Sequence, residues 1–357
     1  MMDQRNFRSN TEGNVYFPRF WCFILLLALA GIACSQNSAR VQLVGVGTTT
    51  PLPIYAKWFH GFEETRPDLH FTYLPGGSGM GIDMVTAGTA DFGSSDAPLS
   101  DKQLAQAGML QFAALLGAIV PIYNVNVNVN VAGATQLKFS RRALAGIYLG
   151  TITKWNDPAI SAANPEVQLP ASNIAVIHSA DGRGSTYVWS DYLSKVDAGW
   201  RTKVGRGISV KWPVGKQGDG YGDIARLVRE TPNSIGYVEF VYAVQNQLPI
   251  GRVENLAGNF INADSASITA AAAAGANAVP SDLRSAITNP KGGASYPIAS
   301  YTWILISKNQ SATKREAMKD FLRWALNEGQ AHIEISGFAK LPPEIVEQEL
   351  RSIEEIP

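Results

Sequence analysis

One pattern limits the fold of this chain more than any other: a short strand, a loop rich in Gly, Ser and Thr, and then a helix. Val41–Val44 is β-rich, residues 45–51 form the first loop, and aromatic side chains then recur at helical spacing. These side chains are Tyr55, Trp58, Phe59 and Phe62. The pattern repeats with a strand at Phe71–Leu74, a loop at residues 76–79 and a helix through Val85. Alternating strands and helices predict an α/β fold with mostly parallel sheets.

Further elements continue this alternation. Predicted strands lie at residues 91–96, 174–177, 235–238 and 301–307. A helix followed by a turn is predicted at 144–155, and further helices are predicted at 186–193, 270–274, 318–324 and 344–354. Residues 111–131 are largely apolar and predict strands that cross into a second lobe. Within them, the Val-Asn alternation at 125–131 fits either a half-exposed strand or an inserted loop. Gly275 is expected to break the Ala-rich helix, and the acidic C-terminal helix is expected to be solvated.

The length of the chain and its net charge limit the domain organisation and the possible binding partners. The 357 residues allow two domains, each with its own core. Lys+Arg 30 and Asp+Glu 30 cancel, which argues against nucleic acid as a partner, because that needs a surplus of positive charge.

The N-terminal segment has the layout of a secretory signal. Arg5, Arg8 and Arg19 precede the apolar run at residues 20–30, and small residues and Cys34 follow. The run is shorter than the ~20 residues of a membrane span. Residues 1–34 therefore predict a signal peptide, with a retained anchor helix as the alternative. Cys34 is a lipidation candidate, and the other reading is cleavage nearby that leaves a freely soluble protein. The only other cysteine lies inside this segment, so no disulfide is expected in the mature chain.

Three loops share a composition that suits an anion. They are residues 47–50, 77–79 and 182–186, and each combines Gly with Ser or Thr at the start of a helix. Gly lets the backbone approach closely, while free N–H groups and the helix dipole attract negative charge. Ser and Thr are also ordinary helix caps, so each loop alone is weak evidence. Ligands of α/β sheets bind beyond the carboxyl ends of the strands, where these loops are expected to lie.

Longer blocks resemble a known family from about Leu43 to the C-terminus, namely the phosphate-binding proteins of bacterial phosphate ABC transporters. The matching blocks are Pro53–Trp58, Asp91–Ser100, Gly146–Gly150, Thr153–Trp155 and Ile235–Glu239. The resemblance implies an α/β, two-lobed periplasmic-binding-protein fold of type II, with a hinge between the lobes, that closes over one dehydrated phosphate.

Lobe boundaries and partners follow from the same resemblance. Residues 41–114 would form the first part of lobe I, 115–296 lobe II, and 297–357 the second part of lobe I with the C-terminal helices. The chain would cross near residues 112–115 and return near 296–300. The resemblance implies a monomer that is exported to the periplasm or to the outer face of the cytoplasmic membrane. Its partners would be inorganic phosphate and the permease and ATPase of the transporter.

Residue by residue, the family's phosphate ligands match positions in the three loops and one carboxylate. They are Thr48, Thr49, Thr50, Ser78, Asp96, Gly184 and Ser185. Asp96 would accept a hydrogen bond, because hydrogen phosphate carries a proton and sulfate at neutral pH does not. A site built around such a bond can reject the analogue that lacks it by roughly 10⁴–10⁵ fold.

The chain departs from the family around Asp181. Many relatives have Arg two residues before this Asp and Ser two residues after it, whereas here Ser179 and Arg183 hold those positions. One hypothesis is that Arg183 supplies the positive partner of phosphate, held by Asp181. The alternative is that Arg183 points to solvent and neutral donors bind the anion.

Other functions find less support. A receptor for sulfate or molybdate is an alternative, opposed by the predicted role of Asp96. A phosphatase would need a nucleophile or a metal pair, and the sequence assembles neither. The histidines lack metal-ligand spacing, and no P-loop or dinucleotide motif is complete, so we expect no metal, cofactor or catalytic residue.

Overall fold

The computed structural model describes residues 40–129, 136–276, 287–335 and 337–357. The predicted signal peptide with Cys34 lies outside these ranges, and so do residues 130 and 131 of the Val-Asn stretch. Of that stretch, residues 125–127 have no regular structure and Asn128–Val129 form a short strand.

Strands and helices alternate through the described chain. The strands are β1 Val41–Gly47, β2 Leu69–Pro75, β3 Phe92–Ser95, β4 Met109–Asn124, β5 Asn128–Val129, β6 Lys138–Phe139, β7 Val167–Gln168, β8 Ala175–Ser179, β9 Lys216–Gly218, β10 Ser234–Glu239, β11 Arg252–Glu254, β12 Phe260–Ile261 and β13 Ala299–Ser307. The helices are α1 Leu52–Thr65, α2 Ser78–Thr86, α3 Asp101–Ala107, α4 Arg141–Leu149, α5 Pro158–Ser161, α6 Gly184–Val196, α7 Ala198–Lys203, α8 Gly220–Glu230, α9 Phe240–Gln245, α10 Ser265–Ala276, α11 Ala312–Leu326, α12 Ala331–Ile335 and α13 Pro343–Glu354, with a 3₁₀ turn at Glu328–Gln330.

The main sheet has the strand order β2-β1-β3-β13-β4-β10-β8-β9. β1 runs parallel to β2 and β3, and β8 runs parallel to β9 and β10, as the repeating strand–helix units predict. The middle of the sheet is different, because β13 and β10 both lie antiparallel to β4. The expectation of mostly parallel sheets therefore holds at both ends and fails in the middle, where strands cross between the two halves.

The strand β4 joins the two halves of the molecule. Its residues Met109–Ala118 pair with β13, and Ile119–Asn124 pair with β10. The change of partner falls between Ala118 and Ile119. We call the half with β1, β2, β3 and β13 the first lobe, and the half with β8, β9 and β10 the second lobe. The lobe boundaries given by the sequence stay a prediction.

Aromatic side chains fill the core of the first lobe. The predicted stripe on α1 is buried, and it packs against β2, β3 and α11. Phe71 of β2 stacks on Phe59 with ring centres 5.1 Å apart, and Phe321 of α11 lies 4.9 Å from Phe71. The helical spacing of aromatic residues in the sequence therefore identifies one face of this core.

A second aromatic cluster fills the second lobe. Trp189 of α6 stacks on Tyr237 of β10 at 4.7 Å, and His178 of β8 stacks on Trp212 at 4.8 Å. Burial lowers the pKa of His178 below its ordinary value, which favours the neutral ring. Trp155, Trp189 and Trp303 are buried, as predicted, and Trp212 is partly buried.

Two sequence expectations are wrong. Helix α10 continues through Gly275 to Ala276, and the glycine allows close packing, because a Cβ there would lie 2.8 Å from Ile287 Cγ2. Helix α13 is not solvated on all sides, since Ile345, Glu349 and Ile353 are buried. Burial raises the pKa of Glu349 to about 8.

No helix within the described ranges is both long enough and apolar enough to cross a membrane.

Replacement of Phe321 by Ala should destabilise the first lobe by about 3–5 kcal/mol, because it leaves a cavity among the aromatic side chains. The midpoint of urea unfolding measures the change. Val244→Ala is the control, since Val244 is 53% exposed and its truncation should cost about 0.5 kcal/mol or less. Equal midpoints for the two variants would contradict this description of the core.

Candidate functional site

The three predicted anion loops meet at the junction of the two lobes. Gly79 N–H, in the second loop, donates to the carbonyl of Gly182 in the third loop at 2.9 Å. A Cβ built on Gly184 would lie 2.3 Å from Ser78 Oγ and 2.9 Å from Asp96 Oδ2. Loops from both lobes are therefore in direct contact, which no single sequence could establish.

Gly47 sets the path of the first loop. Its φ of 151° lies in the region that favours glycine, and a Cβ there would lie 2.1 Å from the carbonyl oxygen of Ser94. The Gly47 carbonyl accepts the N–H groups of Gly76 and Gly77 at 2.8 and 2.9 Å, so the first and second loops are joined. The N–H of Thr48 then donates to Ser94 O at 3.0 Å.

Asp96 lies behind these loops and is only 3% exposed. Its Oδ2 accepts the hydroxyls of Thr48 at 2.5 Å and Thr50 at 2.9 Å, and its Oδ1 accepts that of Thr302 at 2.6 Å. Its backbone N–H donates to Ser78 Oγ at 3.1 Å. Burial raises the pKa of Asp96 above its ordinary value, and the three hydroxyl donors act in the opposite direction.

The first loop therefore divides its donors between Asp96 and the space in front of it. The hydroxyls of Thr48 and Thr50 are turned to Asp96. Among the described hydrogen bonds, none uses the backbone N–H of Thr49 or Thr50, and Thr49 lines the cavity described below. The N–H groups and the middle hydroxyl are the donors that the family resemblance assigns to this loop.

The third loop presents the start of a long helix. α6 begins at Gly184, and the hydrogen bonds of the described residues leave the N–H groups of Gly184, Ser185 and Thr186 without an acceptor. Free N–H groups at a helix start, together with the dipole of a helix of 13 residues, attract an anion. Thr186 is set back from the cavity, with its hydroxyl 3.4 Å from Tyr237 OH.

Tyr221 belongs to this site, although sequence reasoning missed it. It lies in the first turn of α8, in the second lobe, and its hydroxyl is 3.1 Å from Thr50 Oγ1 in the first lobe. Ser185 also lies beside Tyr221, and both residues line the small cavity described below. Burial first, and then the negative charge of Asp96, raise the pKa of Tyr221 well above its ordinary value. A lone tyrosine outside any recognisable motif gave no signal in the sequence.

The Arg183 guanidinium pairs with Asp219 and not with Asp181, the partner in one of the two hypotheses drawn from the sequence. Asp181 is exposed in the turn after β8, whereas Asp219 directly precedes α8 and faces the Arg183 side chain. That side chain also crosses to the first lobe, since a Cβ on Gly77 would lie 3.3 Å from Arg183 Nη1. Ser179 is buried, and its hydroxyl has no hydrogen-bond partner.

These groups enclose a small cavity between the lobes. Its lining residues are Thr48, Thr49, Gly77, Ser179, Arg183, Gly184, Ser185, Gly220 and Tyr221. The cavity offers hydroxyl and amide donors and one guanidinium, with the carboxyl of Asp96 behind Gly184. Such a set suits a small tetrahedral anion that carries a hydrogen. Within the described residues, no group of His, Cys, Asp and Glu side chains could hold a metal ion.

Comparison with known proteins shows which proteins this chain resembles. A family model described as a PBP superfamily domain matches residues 34–328. The chain is 38% identical over 325 residues to the phosphate-binding protein PstS of Pasteurella multocida. This alignment covers 91% of this chain and 93% of that protein. The chain is 33% identical over 366 residues to PstS of Methanocaldococcus jannaschii, covering 93% of each.

Solved structures show the same fold. A putative phosphate ABC transporter substrate-binding protein from Clostridium perfringens, solved with phosphate, aligns with a TM-score of 0.60 and 19% identity, over 84% of this chain and 100% of that chain. The phosphate-bound periplasmic protein PfluDING aligns with a TM-score of 0.66 and 18% identity, over 86% and 92% of the two chains.

The fold and the cavity between its halves define a two-lobed solute-binding protein of the periplasmic-binding-protein superfamily. The identity to the curated relatives, 38% over 91% of the chain and 33% over 93% of it, is high enough to be more specific. Within that superfamily, the chain belongs to the family of PstS phosphate-binding proteins.

Gly184→Ala should lower the affinity for inorganic phosphate by about one to two orders of magnitude, because the added methyl group would overlap Ser78 and Asp96 when the loops are in contact. Isothermal titration calorimetry measures the change. Gly293→Ala is the control, since its Cβ would make only an ordinary contact of 3.4 Å with Asn259. A Gly184→Ala protein with unchanged affinity would show that phosphate does not need these loops in contact.

Proposed function

We propose that this protein binds inorganic phosphate between its two lobes, outside the cytoplasmic membrane, and delivers it to the permease of an ABC transporter without chemical change. The observation that carries the proposal is the buried carboxyl of Asp96, which lies among hydroxyl donors and against the start of α6.

Asp96 would select phosphate by its proton. Three hydroxyls occupy three of about four acceptor positions on the carboxylate, so one position remains for a donor from the ligand. Hydrogen phosphate can donate, whereas fully ionised sulfate cannot and would meet an uncompensated negative charge. Phosphate is therefore favoured over the other tetrahedral oxyanions.

The other proposed phosphate ligands surround the remaining acceptor position on the Asp96 carboxylate. Thr49 and the N–H groups of the first loop, Ser78, Gly184 and Ser185 would donate to the phosphate oxygens. Ser179 would add a hydroxyl, since its Oγ is buried, unpartnered and beside the cavity. Arg183 would supply positive charge even while it is paired with Asp219.

Closure of the lobes would couple binding to delivery. The Gly79–Gly182 hydrogen bond and the contact of Tyr221 with Thr50 join the lobes across the cavity. Phosphate contacts both lobes at once only when these loops meet, and this difference in contacts shifts the population toward the closed form. The closed form would then dock on the permease and ATPase complex as a monomer.

The proposed location rests on the sequence of residues 1–34. Export to the periplasm or to the outer face of the cytoplasmic membrane follows from the signal layout. Cys34 would carry lipid if this segment is processed as a lipoprotein signal. Mass analysis of the purified protein tests both this and the state of its bound ligand.

Asp96→Asn should lower phosphate affinity by about ten- to a hundredfold, because a hydrogen bond to a charged group contributes about 1.5–3 kcal/mol. Sulfate affinity should stay the same or rise, since the repelling charge is gone. Calorimetric titration with each anion measures the ratio, and Asp83→Asn, at an exposed position of α2, is the matched control. A parent protein that binds sulfate as tightly as phosphate would refute the proposed role of Asp96.

Arg183→Ala should lower phosphate affinity by about one to two orders of magnitude, through the loss of the only guanidinium among the cavity-lining residues. Arg183→Lys should recover part of this loss, since it keeps the charge without the planar fork. Asp219→Asn should not weaken binding, because Arg183 keeps its charge. Unchanged affinity in Arg183→Ala would mean that neutral donors alone bind the anion.

A further inference from the structure

Glu239 is a second buried carboxyl group beside the proposed phosphate site. It is the last residue of β10, opposite Ile119 of β4, and is only 3% exposed. Its Oε2 accepts the backbone N–H of Tyr242 at 2.9 Å and thereby caps α9. Its Oε1 is buried and has no hydrogen-bond partner. None of the roles proposed above uses this residue.

The carboxyl of Glu239 adjoins the phosphate loops. A Cβ built on Gly117 of β4 would lie 3.5 Å from Glu239 Oε1 and 3.7 Å from Thr50 Cγ2, so both side chains flank the same glycine. Glu239 also lines a larger cleft together with Thr50 and Tyr221. This cleft shares four lining residues with the small cavity, namely Thr49, Arg183, Gly220 and Tyr221.

The charges that face Glu239 do not favour an anion there. Asp96, directly after β3, and the phenol of Tyr221 on α8 interact with Glu239 electrostatically. β4 presents Gly117, which has no charge. α9 contributes backbone N–H groups to Glu239, and the Tyr242 side chain of α9 lines the same cleft. Arg183 and Asp219 line the same cleft but are paired with each other. In the part of the chain that the structure describes, no Lys, Arg or His forms an ion pair with Glu239.

An ionised Glu239 would therefore be a buried negative charge with one unsatisfied oxygen, which is costly. The pKa of Glu239 is raised to about 8, mainly by burial. The backbone N–H groups of α9 lower this pKa, and the negative charge of Asp96 raises it. A bound phosphate dianion would add a further negative charge nearby.

We propose that Glu239 is a proton-holding residue of the phosphate site, neutral when phosphate is bound, and that loss of its proton in alkaline solution weakens phosphate binding. The inference rests on the proposed function. A bound phosphate dianion disfavours a second negative charge on Glu239 beside it. At a pH where Glu239 of the free protein is already ionised, phosphate binding therefore takes up a proton. Affinity should then fall with rising pH, by up to about tenfold per unit in the limit of one proton.

Calorimetric titration with inorganic phosphate between about pH 7 and about pH 9.5 tests this in the full-length protein, in Glu239→Gln and in Glu349→Gln. Glu349 is a matched control, because it is buried with a pKa also raised to about 8, but it lies on α13. We expect the parent and Glu349→Gln to bind phosphate alike near pH 7, and the pH slope of each protein is taken relative to its own affinity there. Toward pH 9.5 the parent and Glu349→Gln should lose about tenfold in affinity, and Glu239→Gln clearly less. Titrations in buffers of different ionisation heat should show proton uptake on phosphate binding in the parent and in Glu349→Gln. They should show little proton uptake in Glu239→Gln.

Equal pH slopes in Glu239→Gln and the parent would overturn the inference. Failure of the parent to bind phosphate near pH 7 would instead refute the proposed function.

Thermal unfolding without phosphate is an independent test of the protonation of Glu239. Glu239 has an ordinary pKa of 4.5 when unfolded and about 8 when folded, so its contribution to stability is lost as the pH rises between these values. Glu239→Gln should gain melting temperature relative to the parent over that interval, and a constant difference would also count against the inference.

Discussion

The structure depends on one buried carboxyl group, Asp96, at the place where the two lobes meet. Burial of a carboxylate is unfavourable unless its oxygens are hydrogen-bonded, and here the hydroxyl donors come from the loop after β1 and from β13. β13 is also the strand that pairs with the first part of β4. The group that would recognise the ligand is thus hydrogen-bonded to β13, the strand that pairs with the first part of β4, so the site adjoins the strands that join the lobes.

The sequence alone was sufficient to predict the parts of the fold and of the site that repeat along the chain or consist of neighbouring residues. The strand–loop–helix units, the aromatic face of α1 and the three Gly-Ser-Thr loops could be predicted because each is a local pattern of several residues. Thr302, Tyr221 and Asp219 could not. Each is a single polar side chain brought to the site from a distant segment, and only the order of strands in the sheet determines that it arrives there.

The exchange of positions between Arg and Ser around Asp181 shows the same limit. One of the two hypotheses from the sequence made Asp181, two residues away, the partner of Arg183. In the structure, the turn at Gly182, with φ of 74°, directs the Arg183 side chain toward Gly77 and Asp219, while Asp181 stays exposed. The partner that lies closest along the chain is therefore not the partner in space. The pairing brings residues from two loops of the second lobe to the edge of the first.

A site built mainly from neutral donors suits a protein that must release its ligand. Amide and hydroxyl dipoles interact weakly with an anion in water and strongly once water is excluded. Here the N–H groups of α6 belong to the second lobe, and the first loop and Asp96 belong to the first lobe. Separation of the lobes would remove half of the donors and admit water to the rest, so opening alone would weaken binding. A cluster of unpaired cations would attract phosphate in the open form as well, whereas the one guanidinium that lines the cavity already faces Asp219. With this balance of charge, the proposed phosphate affinity would depend on lobe closure.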